Sequence, residues 1–130
     1  MVLLISVAAF AEDAMDESRP IVIAHRGASG YLPEHTLAAK ALAHAMGADY
    51  LEQDVVLSRD GVPVVLHDIH LDTVSNVARL FPDRVRDDGR FYAIDFDLDE
   101  LRELTLTERF DRTTGRRVFP DRFASAGQRF

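Results

Sequence analysis

The sequence predicts an α/β domain, and three features carry that expectation. Ile21-Val22-Ile23-Ala24 is a short continuous apolar run of the kind a fully buried strand shows. An Ala-rich stretch over residues 34–46 follows, with Pro33 just before it and Gly47 placed as a C-terminal stop, which is the punctuation of a helix. Residues 50–57 and 62–66 then read as a second and a third strand. A chain of 130 residues has room for one domain with a real core. Its 47% apolar and 28% charged composition is richer in apolar residues than a disordered chain.

Taken in order, the chain opens with residues 1–11, which carry no charge and end in Ala9-Phe10-Ala11, a small-x-small cleavage pattern. The acidic stretch Glu12-Asp13-Ala14-Met15-Asp16-Glu17 follows it. The expectation is the end of a secretory signal peptide, a mature chain beginning near Glu12, and a periplasmic or secreted location. No Lys or Arg precedes the apolar run, which departs from the usual pattern, and the bland alternative is a buried first element. The first strand ends in His25-Arg26-Gly27 and gives way to a loop containing Gly30 and Pro33. Ser58-Arg59-Asp60-Gly61 marks a turn between strands two and three. Four residues are too few for a crossover to a parallel neighbour, so these strands form an antiparallel hairpin. Over residues 69–96 the apolar period fades and Phe81-Pro82-Asp83 and Asp87-Asp88-Gly89 read as loop, an insertion-like excursion. Asp97 as N-cap with Glu100 three residues on opens a last helix, whose apolar edge is Leu98, Leu101 and Leu104.

Fifteen Lys and Arg against 22 Asp and Glu give a net charge of −7, which argues against a nucleic-acid partner. A small phosphate ester needs only one or two placed cations. The absence of cysteine excludes disulfides, zinc-thiolate sites and thiol nucleophiles. No apolar run reaches the ~18 residues of a membrane span.

His25 and Arg26 stand just after a strand, the edge at which ligands sit in α/β barrels and open parallel sheets. Glu52 and Asp54, two apart on a strand, project from one face, and hard oxygen donors at that spacing suit Ca²⁺ or Mg²⁺. The hairpin decides where His67 falls. A two-residue loop sets it across from Asp54, a four-residue loop across from Glu52, and a three-residue loop across from Gln53 on the other face. The even-numbered loops are the expectation, placing His67 beside the carboxylate pair. Two imidazoles, one Arg and two metal-type carboxylates are the parts for cleaving a phosphate ester. His44, inside the Ala-rich helix, and His70, in the loop-like stretch, read as structural or solvated.

These motifs resemble those of the glycerophosphodiester phosphodiesterases. The His-Arg-Gly run followed by Pro-Glu-x-Thr stands here as His25-Arg26-Gly27 and Pro33-Glu34-His35-Thr36. The Glu-x-Asp is Glu52-Gln53-Asp54, and the closing His-Asp is His67-Asp68. His35 takes the place of a frequent Asn, a replacement the periplasmic branch of the family tolerates. The resemblance implies the N-terminal part of a TIM-type (β/α) barrel over residues 20–130, incomplete at this length because a whole barrel takes about 250 residues. It implies metal-dependent hydrolysis of a small-molecule glycerophosphodiester, such as glycerophosphocholine, to sn-glycerol 3-phosphate and an alcohol. Carried over residue by residue, His25 and His67 are the general acid/base pair, Arg26 contacts the phosphate, and Glu52 and Asp54 ligate Ca²⁺, with Mg²⁺ the alternative. Glu34 borders the site. The family's third metal carboxylate would fall beyond Phe130, so the chain reads as the first half of an enzyme.

Two rivals stand beside this reading. Two His and a carboxylate make up an iron facial triad, although Arg26 and the second carboxylate are surplus to one. A truncated, catalytically incomplete fragment that binds metal or phosphodiester without turnover is the non-enzymatic alternative.

Overall fold

In the computed structural model the described residues are 19–118. The expected leader, residues 1–11, lies outside them, as does the chain after residue 118. β1 (Ile23–Ala24) pairs in parallel with β2 (Tyr50–Leu51), Ile23 opposite Tyr50, and α1 (Leu37–Ala45) is the crossover between them. β3 (Val55–Leu57) and β4 (Pro63–Val65) form an antiparallel hairpin with Val56 opposite Val64. α2 (Val77–Leu80) and α3 (Leu98–Glu103) follow, with 3₁₀ turns at Pro82–Arg84 and Ala93–Asp95 between them. Among the described residues the strands make two two-stranded sheets and no closed barrel.

Local chemistry accounts for the helix limits. α1 starts three residues later than Pro33 and Glu34 suggest, because His35 adopts a left-handed φ of 63° and Thr36 then caps the helix. The Thr36 hydroxyl accepts the Ala39 N–H at 3.1 Å. At the far end Gly47, with φ 84°, closes the helix as the sequence indicated. The Glu100 carboxylate accepts the Asp97 N–H at 2.8 Å, the return arm of the expected capping box.

Two expectations need correction. Residues 50–57 are not one strand: β2 pairs in parallel with β1 while β3 pairs antiparallel with β4, and Glu52 to Asp54 link the two sheets. The first strand is not buried, Ile23 being 60% exposed, because β1 has only β2 beside it and no layer covers its apolar side among the described residues. Residues 69–96, read as loop-like, contribute to the core. Leu71, Val74, Val77, Phe91 and Phe96 from that stretch pack with Val64 and Leu66 of the hairpin arm and with Leu101 and Leu104 into one buried cluster. The apolar period is hard to read there because short turns, rather than long helices or strands, supply those side chains.

Gly27 fixes how the chain leaves β1. Its φ is +81°, and a Cβ at this position would lie 2.9 Å from the Ala39 carbonyl carbon of α1. Only glycine meets both conditions at once. Gly27→Ala is therefore expected to destabilise the fold by about 1–3 kcal/mol in urea unfolding. Gly30→Ala, with nothing near its Cβ position, should stay within about 0.5 kcal/mol of the parent. Equal effects at the two glycines would refute the close-approach account.

Candidate active site

The loop after β1 builds the site. Arg26 adopts a left-handed φ of 63°, uncommon for a side chain with a Cβ and frequent at functional positions. That turn aims the Arg26 N–H at Glu52, whose Oε2 accepts it at 2.9 Å. The Arg26 carbonyl accepts the His35 N–H at 3.0 Å, closing the loop on itself. The Arg26 guanidinium reaches toward Glu34 at 3.4 Å and stands 4.0 Å from Asp54. These contacts are long, so the side chain keeps donor capacity for a ligand.

Glu52 and Asp54 keep to one face although the strand is interrupted. Exposure alternates from Leu51 to Leu57, with Glu52 and Asp54 on the less exposed side and Gln53, bonded to Lys40, on the other. His35 Nε2 lies 3.1 Å from Asp54 Oδ2, and burial lowers the pKa of this ring, keeping it neutral as a donor. Each carboxylate thus has one oxygen held by the protein and a second for another partner. Hard anionic oxygens of this kind fit a divalent cation such as Ca²⁺ or Mg²⁺. Among the described residues no three His, Asp or Glu side chains are grouped for a metal, and the two-His, one-carboxylate triad is not assembled either.

The two candidate catalytic histidines are placed differently. His25 lines a cleft of about 280 Å³ with Arg26, Ser29, Glu34, Glu108 and Arg109. His67 does not stand across from a metal-type carboxylate. Ser58 and Val62 pair through backbone hydrogen bonding at 3.0 Å, leaving the three-residue loop Arg59-Asp60-Gly61 with Gly61 at φ 77°. The buried Ser58 hydroxyl selects that loop by bonding Asp60 Oδ1 at 2.6 Å and accepting the Val62 N–H at 2.9 Å. An odd loop gives His67 the parity of Gln53, so the even-loop expectation is corrected. His67 Nδ1 instead lies 2.7 Å from Asp68 Oδ1.

Sequence reasoning missed Arg109. Its Nε and Nη2 bind Glu34 at 3.0 and 2.6 Å, and its Nη1 binds Asp68. It follows a stretch with no strand or helix pattern, and no motif marks it; its only signal is an Arg beside Glu108 in an acidic chain. Burial alone would raise the Glu34 carboxyl, but hydrogen bonding and charge from Arg109, with the charge of Arg26, bring it below its ordinary value. Asp68 is lowered in the same way, burial being outweighed by Arg109 and His67. Glu108 moves up, through burial first and the nearby Glu34 charge second, and its Oε2 is buried without a partner.

Comparison with known proteins decides where this arrangement belongs. The glycerophosphoryl diester phosphodiesterase family matches residues 25–124. The chain belongs to that family. A glycerophosphodiester phosphodiesterase of Haemophilus influenzae is 55% identical over 109 residues, covering 82% of this chain and 30% of the relative. A solved structure from Silicibacter pomeroyi, named for the same activity, is 35% identical with a TM-score of 0.64 and covers 84% of this chain and 36% of its own. A phosphodiesterase of Oleispira antarctica, solved with the product sn-glycerol-3-phosphate, is 41% identical with a TM-score of 0.53. It is matched over 66% of this chain and 30% of its own. The chain thus spans about a third of the length of these relatives. Membership brings the TIM-barrel type of fold, of which the described residues form a mixed α/β part.

The ion pairs of Glu34 predict a pH dependence. Its folded pKa lies below the ordinary 4.5, so the stability it contributes is present above that value and lost as pH falls through the folded one. In urea unfolding, Glu34→Gln should cost about 1–3 kcal/mol at neutral pH, and the gap should narrow as pH falls below the ordinary carboxyl value and vanish once it has passed the lowered folded one. A gap that does not change with pH would show that shape, not charge, is what Glu34 contributes.

Proposed function

We propose that this site serves the hydrolysis of glycerophosphodiesters, such as glycerophosphocholine, to sn-glycerol 3-phosphate and a free alcohol. The observation that carries the reading is Arg26: its main chain is locked to Glu52 while its side chain opens on the cleft that His25 lines. The name of the Oleispira antarctica structure, which pairs a family member with sn-glycerol-3-phosphate, supports the substrate class. Glu52 and Asp54 would hold the divalent cation, Ca²⁺ first and Mg²⁺ second. When bound, that ion polarises a phosphoryl oxygen and offsets its negative charge.

The remaining work falls to the chain. Arg26 donates hydrogen bonds to the phosphoryl oxygens, where charge grows in the transition state. One of His25 and His67 takes a proton from the attacking oxygen nucleophile, and the other gives a proton to the alkoxide as its P–O bond breaks. Water supplies the net oxygen and protons of the hydrolysis. His67 is oriented for such a role, with Nδ1 against Asp68 and Nε2 left to exchange the proton. Residues 20–130 are read as the N-terminal portion of the phosphodiesterase domain. The apolar run ending at Ala11 supports export to the periplasm or beyond.

A second reading, binding of metal or phosphodiester without turnover, is favoured by the exposed apolar side of β1. The experiment that separates them is release of sn-glycerol 3-phosphate from glycerophosphocholine by the purified chain, with Ca²⁺ and with a chelator. Chelator-sensitive release is expected, and no release with intact Ca²⁺ binding would favour the second reading. In a chain that turns over, His25→Ala and His67→Ala should each lower kcat by roughly 10²–10⁴ with little change in Ca²⁺ affinity. An unchanged rate in either would end its acid/base assignment. Glu52→Gln should instead weaken Ca²⁺ binding in titration calorimetry, with activity recovering as Ca²⁺ is raised.

A further inference from the structure

Two arginines reach the same cleft, and their hydrogen bonding separates their roles. Arg26 makes only long side-chain contacts, whereas Arg109 commits its whole fork to protein acceptors. Nε and Nη2 go to Glu34 at 3.0 and 2.6 Å, and Nη1 goes to Asp68 with a longer contact to the Thr73 hydroxyl at 3.4 Å. A guanidinium so occupied has little left for a phosphate. What it does have is a carboxylate at either hand, each belonging to a different half of the site. Glu34 faces Arg26 on the β1–α1 loop, and Asp68 faces His67 at the end of the β4 arm.

We propose that Arg109 is a positioning residue that sets the catalytic orientation of His67 by clamping Asp68 to Glu34. This rests on the hydrolase reading of the site. Asp68 turns one oxygen to Arg109 and the other to His67 Nδ1, so fixing the first fixes the second. The Asp68 carboxylate accepts the Nδ1–H, which selects the tautomer whose Nε2 carries a bare lone pair. The bond matters because His67 lies past the last paired residue of the hairpin, Val65, and its side chain is 37% exposed. The hairpin's backbone pairing stops at the Leu66 N–H, which bonds the Asp54 carbonyl at 3.2 Å, so the ring's direction is left to side-chain contacts. The chain from Glu34 through Arg109 and Asp68 supplies them, and it ties the ring to the loop that carries His25 and Arg26.

The test has one readout on the ring and one on turnover. Long-range ¹H–¹⁵N spectra of the whole chain should show neutral His67 as the Nδ1–H tautomer. Arg109→Ala should return it to a mixture of both tautomers. For glycerophosphocholine, Arg109→Ala should lower kcat by about 10²-fold and leave KM within about twofold, since no contact to substrate is lost. Arg109→Lys should not restore kcat, because a point charge cannot span both carboxylates as the planar fork does. If Arg109→Ala fails to fold, Asp68→Asn weakens the relay at its middle, toward both Arg109 and His67, and should reproduce the loss of kcat and of the single tautomer. An unaltered tautomer and kcat in the folded variants would overturn the inference while the hydrolase reading stands, as would full recovery with Lys. If the parent chain shows no turnover, the hydrolase reading for this chain fails, and the positioning inference falls with it.

Discussion

The close approach of Gly27 to Ala39 is the constraint on which the site depends. Because the chain leaves β1 through two consecutive left-handed residues, Arg26 and Gly27, it can turn back against α1 within a single step. The Ala28 N–H then bonds the Ala39 carbonyl at 2.9 Å, below the capped start of the helix. This geometry turns the Arg26 N–H to Glu52 and its carbonyl to His35, so one residue's backbone anchors a carboxylate on one side and the loop on the other. A β-region residue at position 26 would point its N–H elsewhere and leave Glu52 without its donor. The cost of the left-handed Arg26, of order 1–3 kcal/mol, is met by those hydrogen bonds.

The charges around that anchor do not cancel. Glu34, Glu52, Asp54 and Asp68 are four carboxylates around two guanidiniums, Arg26 and Arg109. His35 is held neutral by burial, and Glu108 is pushed toward its neutral form. Arg109 is committed to Glu34 and Asp68, and Arg26 stands between Glu34 at 3.4 Å and Asp54 at 4.0 Å, so the carboxylates outnumber the guanidiniums by two. A site with two uncompensated negative charges on hard oxygens matches a divalent cation in both charge and donor type. The excess of negative charge is thus of the size that the proposed divalent cation would offset.

Much of this was legible in the sequence, and the parts that were not share a cause. Short-range signals held: the capping of the last helix by Asp97 and Glu100, the glycine stop at Gly47, the hairpin between residues 57 and 63, and the common face of Glu52 and Asp54. These depend on neighbours within a few residues. The hairpin's parity was not legible, because Ser58 settled it through a hydroxyl that satisfies both Asp60 and Val62 in a three-residue loop. The core of residues 69–96 escaped notice for a related reason, since Phe91 and Phe96 bury their rings from turns that have no period. Arg109 could not be found at all by pattern. Its partners Glu34 and Asp68 are far away in sequence, and only the folded chain brings the three together.

The distribution of burial explains why such a long-range contact is needed. The hairpin arm, α2, α3 and the turns between them close a core around Phe96 and Leu101, both fully buried. The β1–α1–β2 unit contributes Ala39 and Ala43 to the interior and leaves Ile21, Val22 and Ile23 exposed. The residues expected to carry the chemistry divide along the same line, with His25 and Arg26 on the open unit and His67 at the edge of the closed one. Nonpolar packing is weak across that line, so relative position must come from directional contacts. His35 on Asp54 is one such contact, and Arg109 between Glu34 and Asp68 is a second. A guanidinium suits the second because its planar fork fixes direction as well as distance, where dispersion contacts would fix neither.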